Sequence, residues 1–545
     1  MSTRGADLLV QALRQAGVRV VFALSGNHVM AVFDALLGSG IRLVHTRHEA
    51  AAVHMADAWA RLTGEPGIAL VTGGPGHANA LSALFTARLS ESPVVLLSGH
   101  APTHQLGLGA FQEMAQAEMA APVCKASWTC ATAGAIGTDL ARALRTARGG
   151  RPGPVHLSLP ADLLEGPCSE TPPPRPDFEP AVQALHPSQA AGLLAWLRAA
   201  RRPLVLAGPA ASPRAQRLRA QALQAASGVP VLVMESPRGM ADPALGALPQ
   251  VLARADAILL LGKRLDFTLG FGRAPALPAT TRWAQVDAEA GEFERTRHAV
   301  GPRLEQQAQA DLPQALEALI AAARPSPAQA DWAAEVAQAV AWRADASPPP
   351  AAHAAATGLH PLQALQPLQP LLDSHPDAVL VADGGEFGQW AQSALRAPQR
   401  LVNGVAGAIG SSLPFALAAR CALPPEVPVV AVMGDGTVGF HLAEFETASR
   451  EGLPVLVVVG NDGRWNAEYQ IQLRAYGEQR LIGCELEPAR YDLAAAALGG
   501  HGEHIGQPSD WSAALERSRA SGRAALLNVI IEGVAAPQPR RTPPP

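Results

Sequence analysis

The sequence has no Cys-x-x-Cys pair, no basic excess and no apolar run of membrane-spanning length, and each absence removes a class of protein. Its five cysteines, Cys124, Cys130, Cys168, Cys421 and Cys484, are scattered. They form neither a disulfide framework nor a zinc pattern, which fits a reducing compartment. A net charge of -4 with 17% charged residues leaves no electrostatic footprint for nucleic acid or anionic membrane. No stretch reaches the roughly 18 apolar residues of a spanning helix. The opening "MSTRGADLLVQALRQAGV" reads as an amphipathic helix without the apolar centre of a signal peptide. The expectation is a cytoplasmic protein whose partners are small molecules or copies of itself, with no nucleic acid and no membrane.

What is present is apolar residue enough, 48% of 545, for several cores. At the usual ~100–200 residues per domain, about three to four are expected. Short apolar runs alternate with helix-length segments from the start to about residue 165 ("VRVVFAL", "IRLVHT", "GIALVTGG", "PVVLLSG", "GPVHLSLP"). The alternation resumes with "RPLVLAGP", "VPVLVME", "ADAILLLGKRLDF" and "RWAQVDAE", and again with "AVLVADGGEF", "RLVNGVAGAIGSS", "VPVVAVMGDG", "LPVLVVVGND" and "AALLNVIIEG". Strands separated by helices imply parallel sheets, so the fold class is α/β, three consecutive parallel-sheet domains. Pro-rich passages, "GPCSETPPPRPDFEP" and "ARPSPAQA" through "SPPPAAHAAATG", mark the joins. The expected domains are 1–168, 185–325 and 355–535, with 536–545 a flexible tail. Two outer domains of similar size suggest an old duplication, although no repeat is visible in the residues.

The third segment carries the strongest chemistry. Strand "VPVVAVM" runs into Gly434-Asp435-Gly436-Thr437, "VGFHLAEFETASREG" reads as a helix, and the next strand ends at Asn461-Asp462-Gly463. Asn-Asp-Gly is turn chemistry. Neighbouring strand ends in an open α/β sheet also share one rim, where ligands collect. The glycines beside Asp435 let the backbone approach a phosphate, and a hard divalent cation between carboxylates and a diphosphate completes the arrangement. A lone Gly-Asp-Gly is more often only a turn. The second acid, 27 positions later, raises the functional reading above that.

"GDG", the helix, "LPV" and an Asn-rich strand end together resemble the cofactor motif of the thiamine-diphosphate-dependent enzymes; "TRHEAAA", "AFQE", the "GND" ending and "DFTLGFG" resemble its acetolactate synthase, benzaldehyde lyase and 2-hydroxyacyl-CoA lyase branch. The resemblance implies bound thiamine diphosphate and Mg²⁺, the metal held by Asp435, Asp462 and the backbone of Arg464. The family's usual second ligand is asparagine. Either Asp462 coordinates as a carboxylate or Asn461 supplies the ligand after a local shift, with the spacing favouring Asp462.

Thiamine diphosphate needs its C2 proton removed, and a carboxyl group bonded to ring nitrogen N1′ drives this through the cofactor's own aminopyrimidine. "IRLVHTRHEAAAVHMADAWARLTG" resembles the family segment carrying that glutamate, here Glu49. "GGPGHAN" resembles its Gly-Pro-Gly turn, implying that Gly76 and Asn79 approach the cofactor; His77 reads as a rim histidine. "NGVAGAIGSSLPFALAA" implies Ile409 as the apolar wedge that bends the cofactor, with the Gly407 carbonyl on its amino group. "DGGEF", Asp383 to Phe387, would close over the diphosphate with Gly385, Glu386 and Phe387, opposite Gly434, Gly436 and Thr437.

Substrate-facing candidates are His28 in "LSGNHVMAVFDAL" and Gln112 in "GAFQEMAQAEM". The adjacent histidine pair of pyruvate-decarboxylase-type enzymes is missing. The reading is therefore a carboligase or lyase acting next to a carbonyl, on a 2-oxo acid, aldehyde, 2-hydroxy ketone or acyl-CoA. Glu468 falls where those decarboxylases carry an acid, so a 2-oxo acid decarboxylase stands as the alternative, along with a cofactor-binding homologue without turnover. A phosphate-binding α/β protein of another kind is disfavoured by the absence of G-x-x-x-x-G-K-[ST]. Lys263 and Arg264, at a strand end, are either a site for FAD or the ADP portion of coenzyme A, or a solvated basic pair. Because the family pairs the first domain of one subunit with the third of another, an obligate homodimer, a dimer of dimers, is implied.

Overall fold

The computed structural model describes residues 3–325, 329–343 and 358–537. Most of the second Pro-rich join and nearly all of the expected tail lie outside the described residues. The chain divides into two compact units. One comprises residues 1–235, 256–265 and 280–329, the other 236–255, 266–279 and 330–545.

The first unit holds two parallel sheets. In one, β1 (Val20–Ala23), β2 (Arg42–His45), β3 (Gly67–Val71), β4 (Val94–His100), β5 (Ala126–Thr129) and β6 (Val155–Pro160) run in the order β2-β1-β3-β4-β6-β5. In the other, β7 (Pro203–Ala207), β8 (Val231–Val233), β9 (Ala257–Leu261), β10 (Arg282–Asp287) and β11 (Leu304–Gln309) run β11-β10-β9-β7-β8. Strands β3, β4 and β6 are buried at every position, the pattern of parallel strands covered by helices on both faces. The Pro-rich passage after β6 is not loose chain: Phe178, within it, is buried in the core of the first sheet.

The second unit holds β12 (Val379–Ala382), β13 (Gln399–Val402), β14 (Val429–Gly434), β15 (Leu456–Asn461), β16 (His501–Ile505) and β17 (Ala525–Ile530), in the order β13-β12-β14-β15-β17-β16. Position for position this is the order of the first sheet. The two outer sheets share one topology, as expected of a duplication.

In each outer sheet the order reverses beside the first strand, opening a crevice at the carboxyl ends of β1 and β3, and of β12 and β14. The equivalent crevice between β7 and β9 is closed. A Cβ on Gly208 would overlap the Gly262 carbonyl, which also accepts from Arg151 Nη1 at 3.0 Å. Arg151 is buried and ion-paired to Glu91 and Asp287, so this crevice is filled by the protein's own charges.

Candidate active site

The β1–β3 crevice gathers the expected residues of the first unit. Gly26, after β1, packs so tightly on Thr72, after β3, that no Cβ fits. Next to it His28 Nδ1 shares a hydrogen bond with Thr72 Oγ1 at 3.2 Å. Glu49 opens the helix Glu49–Thr63, which His48 caps through its ring and which is buried along its first thirteen residues, Glu49 to Arg61. Small side chains, "EAAAVHMADAWA", allow that close packing. Its one internal cation, Arg61, is held by Asp57 at 2.6 Å and Ser90 at 2.7 Å.

Glu49 itself is 9% exposed. Its Oε2 accepts from Asn79 Nδ2 at 3.1 Å, and its Oε1 faces Gly76, 3.3 Å from where a Cβ would stand. Gly76 and Asn79 share the first turn of the helix Pro75–Leu89, so one turn supplies both the bare approach and the amide. Gln112 has a left-handed backbone, φ 57°, and its carbonyl lies 2.7 Å from the Cβ position of Gly74. That conformation costs a non-glycine residue roughly 1–3 kcal/mol and marks a segment held in place by its surroundings. Phe111 stacks on His28, ring centres 6.1 Å apart. Burial, reinforced by His100, holds the His28 pKa below the usual imidazole value. His28, Glu49, Gly76, Asn79 and Gln112 are thus brought together.

The second unit carries a cavity of about 330 Å³ at the carboxyl ends of β12, β14 and β15. Gly385, Glu386 and Phe387 line it from one side, Gly407 and Ile409 from another, and Gly434 to Thr437, Asp462 and Arg464 from the third. Asp383, fully buried, accepts from the backbone N–H of Gly384 at 2.7 Å, Gly410 at 3.0 Å and Ser412 at 3.2 Å. It thereby ties the loop carrying Ile409 to the tip of β12, rather than facing a ligand. Ile409 Cγ2 stands 2.7 Å from the Cβ position of Gly384, so that glycine is what makes room for the isoleucine.

Gly434 and Gly460 pair in register on β14 and β15, and the two chains leave the sheet side by side. Asp435 Oδ1 accepts from Gly436 N at 2.9 Å and Oδ2 from Arg464 N at 3.2 Å. Gly463, at φ 66°, makes the turn, whose Trp465 N donates to Cys484 O at 2.8 Å. Burial raises the Asp435 pKa to about 6, and burial with the neighbouring Asp435 charge raises Asp462 to about 7. Asp462 Oδ1 is buried with no donor. Asn461 is committed elsewhere: its Nδ2 donates to Ala489 O at 3.0 Å and Asn528 Oδ1 at 3.1 Å, and it does not line the cavity. Two carboxylates on one cavity wall, one with an orphan oxygen, fit a hard cation that takes its remaining ligands from phosphate and water. No cluster of three or more His, Cys, Asp or Glu side chains placed for a metal occurs among the described residues.

Several expectations change. His77 is not at a rim: it is wholly buried, sharing a hydrogen bond with Ser98 Oγ at 2.9 Å and packing 4.4 Å from the His156 ring, and burial lowers its pKa to about 4. Lys263 is buried, donating to the Arg264 carbonyl at 2.9 Å, and Arg264 pairs with Glu292 at 3.0 Å, so they are no solvated pair. Neither lines the cavity of about 500 Å³ that this unit does contain. Glu386 reaches the cavity wall, but its Oε2 accepts from Ala536 N at 2.5 Å. The expected helix through "VGFHLAEFETASREG" is interrupted: residues 435–438 form one short turn, and the helix proper begins at Glu444.

Sequence reasoning also missed three residues. Gln116, fully buried, accepts from Gly74 N at 2.8 Å and donates to Gly99 O at 3.1 Å, bracing the Gly-Pro-Gly turn. Trp465 covers Gly436 so closely that a Cβ there would stand 2.6 Å from its ring. Gly434 to Gly439 has the G-x-G-x-x-G spacing, with Gly439 beyond the strand-to-helix turn. The acid at its second position and the tryptophan over its second glycine distinguish it from a bare dinucleotide turn.

Comparison with known proteins agrees with this geometry. Residues 3–119 match the family described as thiamine pyrophosphate enzyme, N-terminal TPP binding domain, and residues 383–529 its C-terminal TPP binding domain. A probable acetolactate synthase of Mycobacterium bovis is 33% identical over 98% of this chain and 97% of its own length. The 2-hydroxyacyl-CoA lyase 2 of Bos taurus is 32% identical over 92% of this chain and 85% of its own. Acetolactate synthase isozyme 3 large subunit of Escherichia coli is 32% identical over 97% and 95%.

Proposed function

This chain belongs to the thiamine pyrophosphate enzymes, and from that membership we propose that it is a Mg²⁺-dependent carboligase or lyase, making or breaking a C–C bond next to a carbonyl. When bound, thiamine diphosphate supplies a nucleophilic carbon that adds to carbonyl groups and stabilises the charge left when the adjacent bond breaks. The chain's residues bind it, bend it and move protons around it.

Glu49 Oε1 would share a proton with N1′ of the bound cofactor, while Asn79 holds Oε2. Gly76 leaves the path to Oε1 open. Asp435, Asp462 and the Arg464 carbonyl would hold the cation, Gly434 to Thr437 would cradle the diphosphate, Ile409 would supply the apolar wall against which the cofactor bends, and the Gly407 carbonyl would accept from its amino group. His28 and Gln112, on either side of the Gly-Pro-Gly turn, orient the substrate carbonyl oxygen. A neutral imidazole at His28, favoured by its burial, donates or accepts there as its tautomer requires. The observation that carries the reading is Glu49: a buried acid with one oxygen claimed by an amide and the other facing a glycine.

Glu49 and the diphosphate cluster fall in different compact units. The active form is a homodimer, assembling into a dimer of dimers, in which Glu49 of one copy serves the cluster of another. Exposed Leu108, Phe111, Tyr476 and Ile482, each more than 60% accessible, supply apolar surface for that contact. Lys263 and Arg264 are bonded within the protein, which disfavours a nucleotide at that strand end. A 2-oxo acid decarboxylase is the second reading, favoured by Glu468, an exposed acid on the cavity wall.

Reconstitution with Mg²⁺ and thiamine diphosphate, followed by a product screen with pyruvate, benzoin and 2-hydroxyacyl-CoA, separates these. Ligated or cleaved C–C products support the carboligase or lyase. Acetaldehyde from pyruvate as sole product overturns it in favour of the decarboxylase.

A further inference from the structure

We propose that the β14–β15 tip binds a divalent cation by itself, ahead of the diphosphate cofactor, because Asp462 makes it a dicarboxylate site. The inference rests on the cation site proposed above and goes beyond it by assigning the order of assembly.

The oxygen inventory is the first argument. Asp435 accepts one backbone N–H on each oxygen, and each carboxylate oxygen has a second lone pair. Asp462 Oδ1 is buried and accepts nothing. The turn between them therefore offers acceptors without donors, which a cation satisfies and a second anion does not.

Charge is the second. Asp435 is 2% exposed, and Asp462 lines the same cavity. No cationic side chain forms an ion pair with either among the described residues; the Arg464 guanidinium lies 4.3 Å over the Tyr469 ring and acts on Asp462 only through space. A buried carboxylate beside a half-buried one, neither with a bonded counter-ion, is costly. A divalent cation removes that cost at once, and cation affinity in oxygen sites follows the number of charged ligands.

The identity of the second ligand is the third. With a neutral amide there, the protein would bring one negative charge, and the cation would depend on the diphosphate for the rest. Asn461, whose Nδ2 is held by Ala489 O and Asn528 Oδ1, does not line the cavity. The anionic Asp462 is thus the side chain that lets the protein hold the cation before the cofactor arrives, and the bound cation then presents positive charge to the incoming diphosphate.

The test uses the full chain stripped of cofactor and metal, with Mn²⁺ as probe, free Mn²⁺ being read by electron spin resonance. Wild type is expected to bind one Mn²⁺ per chain without thiamine diphosphate. Asp462→Asn, nearly isosteric, is expected to weaken that binding tenfold or more while still binding Mn²⁺ once thiamine diphosphate is added. Asn461→Ala, checked for folding by near-UV circular dichroism, is expected to leave it within threefold. Mn²⁺ uptake by wild type only in the presence of thiamine diphosphate, or equal uptake by wild type and Asp462→Asn without it, overturns the metal-first order and leaves the cofactor site standing. No uptake by wild type under either condition overturns both.

Discussion

Asn79 Nδ2 donates to Glu49 Oε2 at 3.1 Å, from the same helical turn that leaves Gly76 bare in front of Oε1. The acid is therefore held on one oxygen and open on the other. Glu49→Gln keeps the shape and removes the carboxylate, so thiamine diphosphate should still bind while its C2 hydrogen–deuterium exchange falls by about 10²–10⁴, the range for a positioned acid–base group. Proton NMR of acid-quenched cofactor measures it, and exchange at the wild-type rate would exclude Glu49 from this role.

Gly76→Ala places a methyl group 2.7 Å from Thr72 Cγ2 and 3.3 Å from Glu49 Oε1. Overpacking of this kind costs about 1–3 kcal/mol. Urea unfolding should show that loss, and C2 exchange should drop beyond it, since Thr72 also anchors His28. A variant with normal exchange and normal stability would show that the turn is looser than it looks.

At the other cluster, Gly436→Ala meets the Trp465 ring at 2.6 Å. Thiamine diphosphate affinity in the presence of Mg²⁺, titrated by fluorescence, is expected to fall tenfold or more. Adding Trp465→Leu should recover most of the loss by making room. Absence of rescue would mean that the added methyl group acts on the ligand rather than on the ring.

Asp383 ties the Ile409 loop to β12 through three backbone N–H groups. Asp383→Ala leaves those donors buried without acceptors, a cost of about 1–3 kcal/mol for each left unsatisfied. Thermal unfolding and limited proteolysis across 404–412 should both register it; an unchanged loop would remove Asp383 from its anchoring role.

Buried histidines give the first unit a pH signature. Burial lowers the pKa of His77 to about 4 and of His54 to about 3. An imidazole whose folded pKa lies below its unfolded value contributes stability that is complete above about pH 6.5 and is lost as pH falls through the folded value. For His77 that amounts to about 3 kcal/mol between pH 6.5 and 4. Urea midpoints measured across this range should fall less steeply for His77→Asn, which keeps a donor for Ser98. Parallel curves would mean that His77 already carries its proton.

Much of this fold was readable because its central strands are β-branched runs buried on both faces. The three strands that escaped, β5, β11 and β16, are all sheet edges. "ASWT", "LEQQAQ" and "HGEHI" carry polar residues on faces that solvent reaches, so no apolar period marks them. The site was legible as position: Glu49, Asp435 and Ile409 all fall at the two crevices. It was not legible where a side chain acts on backbone far along the chain. Gln116 braces Gly74 across 42 positions and Asp383 reaches Gly410 across 27, and nothing local in "EMAQAEM" or "VADGGEF" announces either bond. His77 was misplaced for the same reason: Ser98 and His156, which bury it, come from other strands.

The shared order of the two outer sheets gives each strand tip a counterpart at the same topological address. After the second strand stand Glu49 in one and the Ile409 loop in the other; after the third stand Gly74-Pro75-Gly76 and Gly434-Asp435-Gly436. One strand order is used twice, and at equivalent addresses one copy carries an acid with an amide and the other an acid, glycines and an isoleucine. What the two crevices can each hold is therefore decided by the loops that leave the strands, not by the order of the strands.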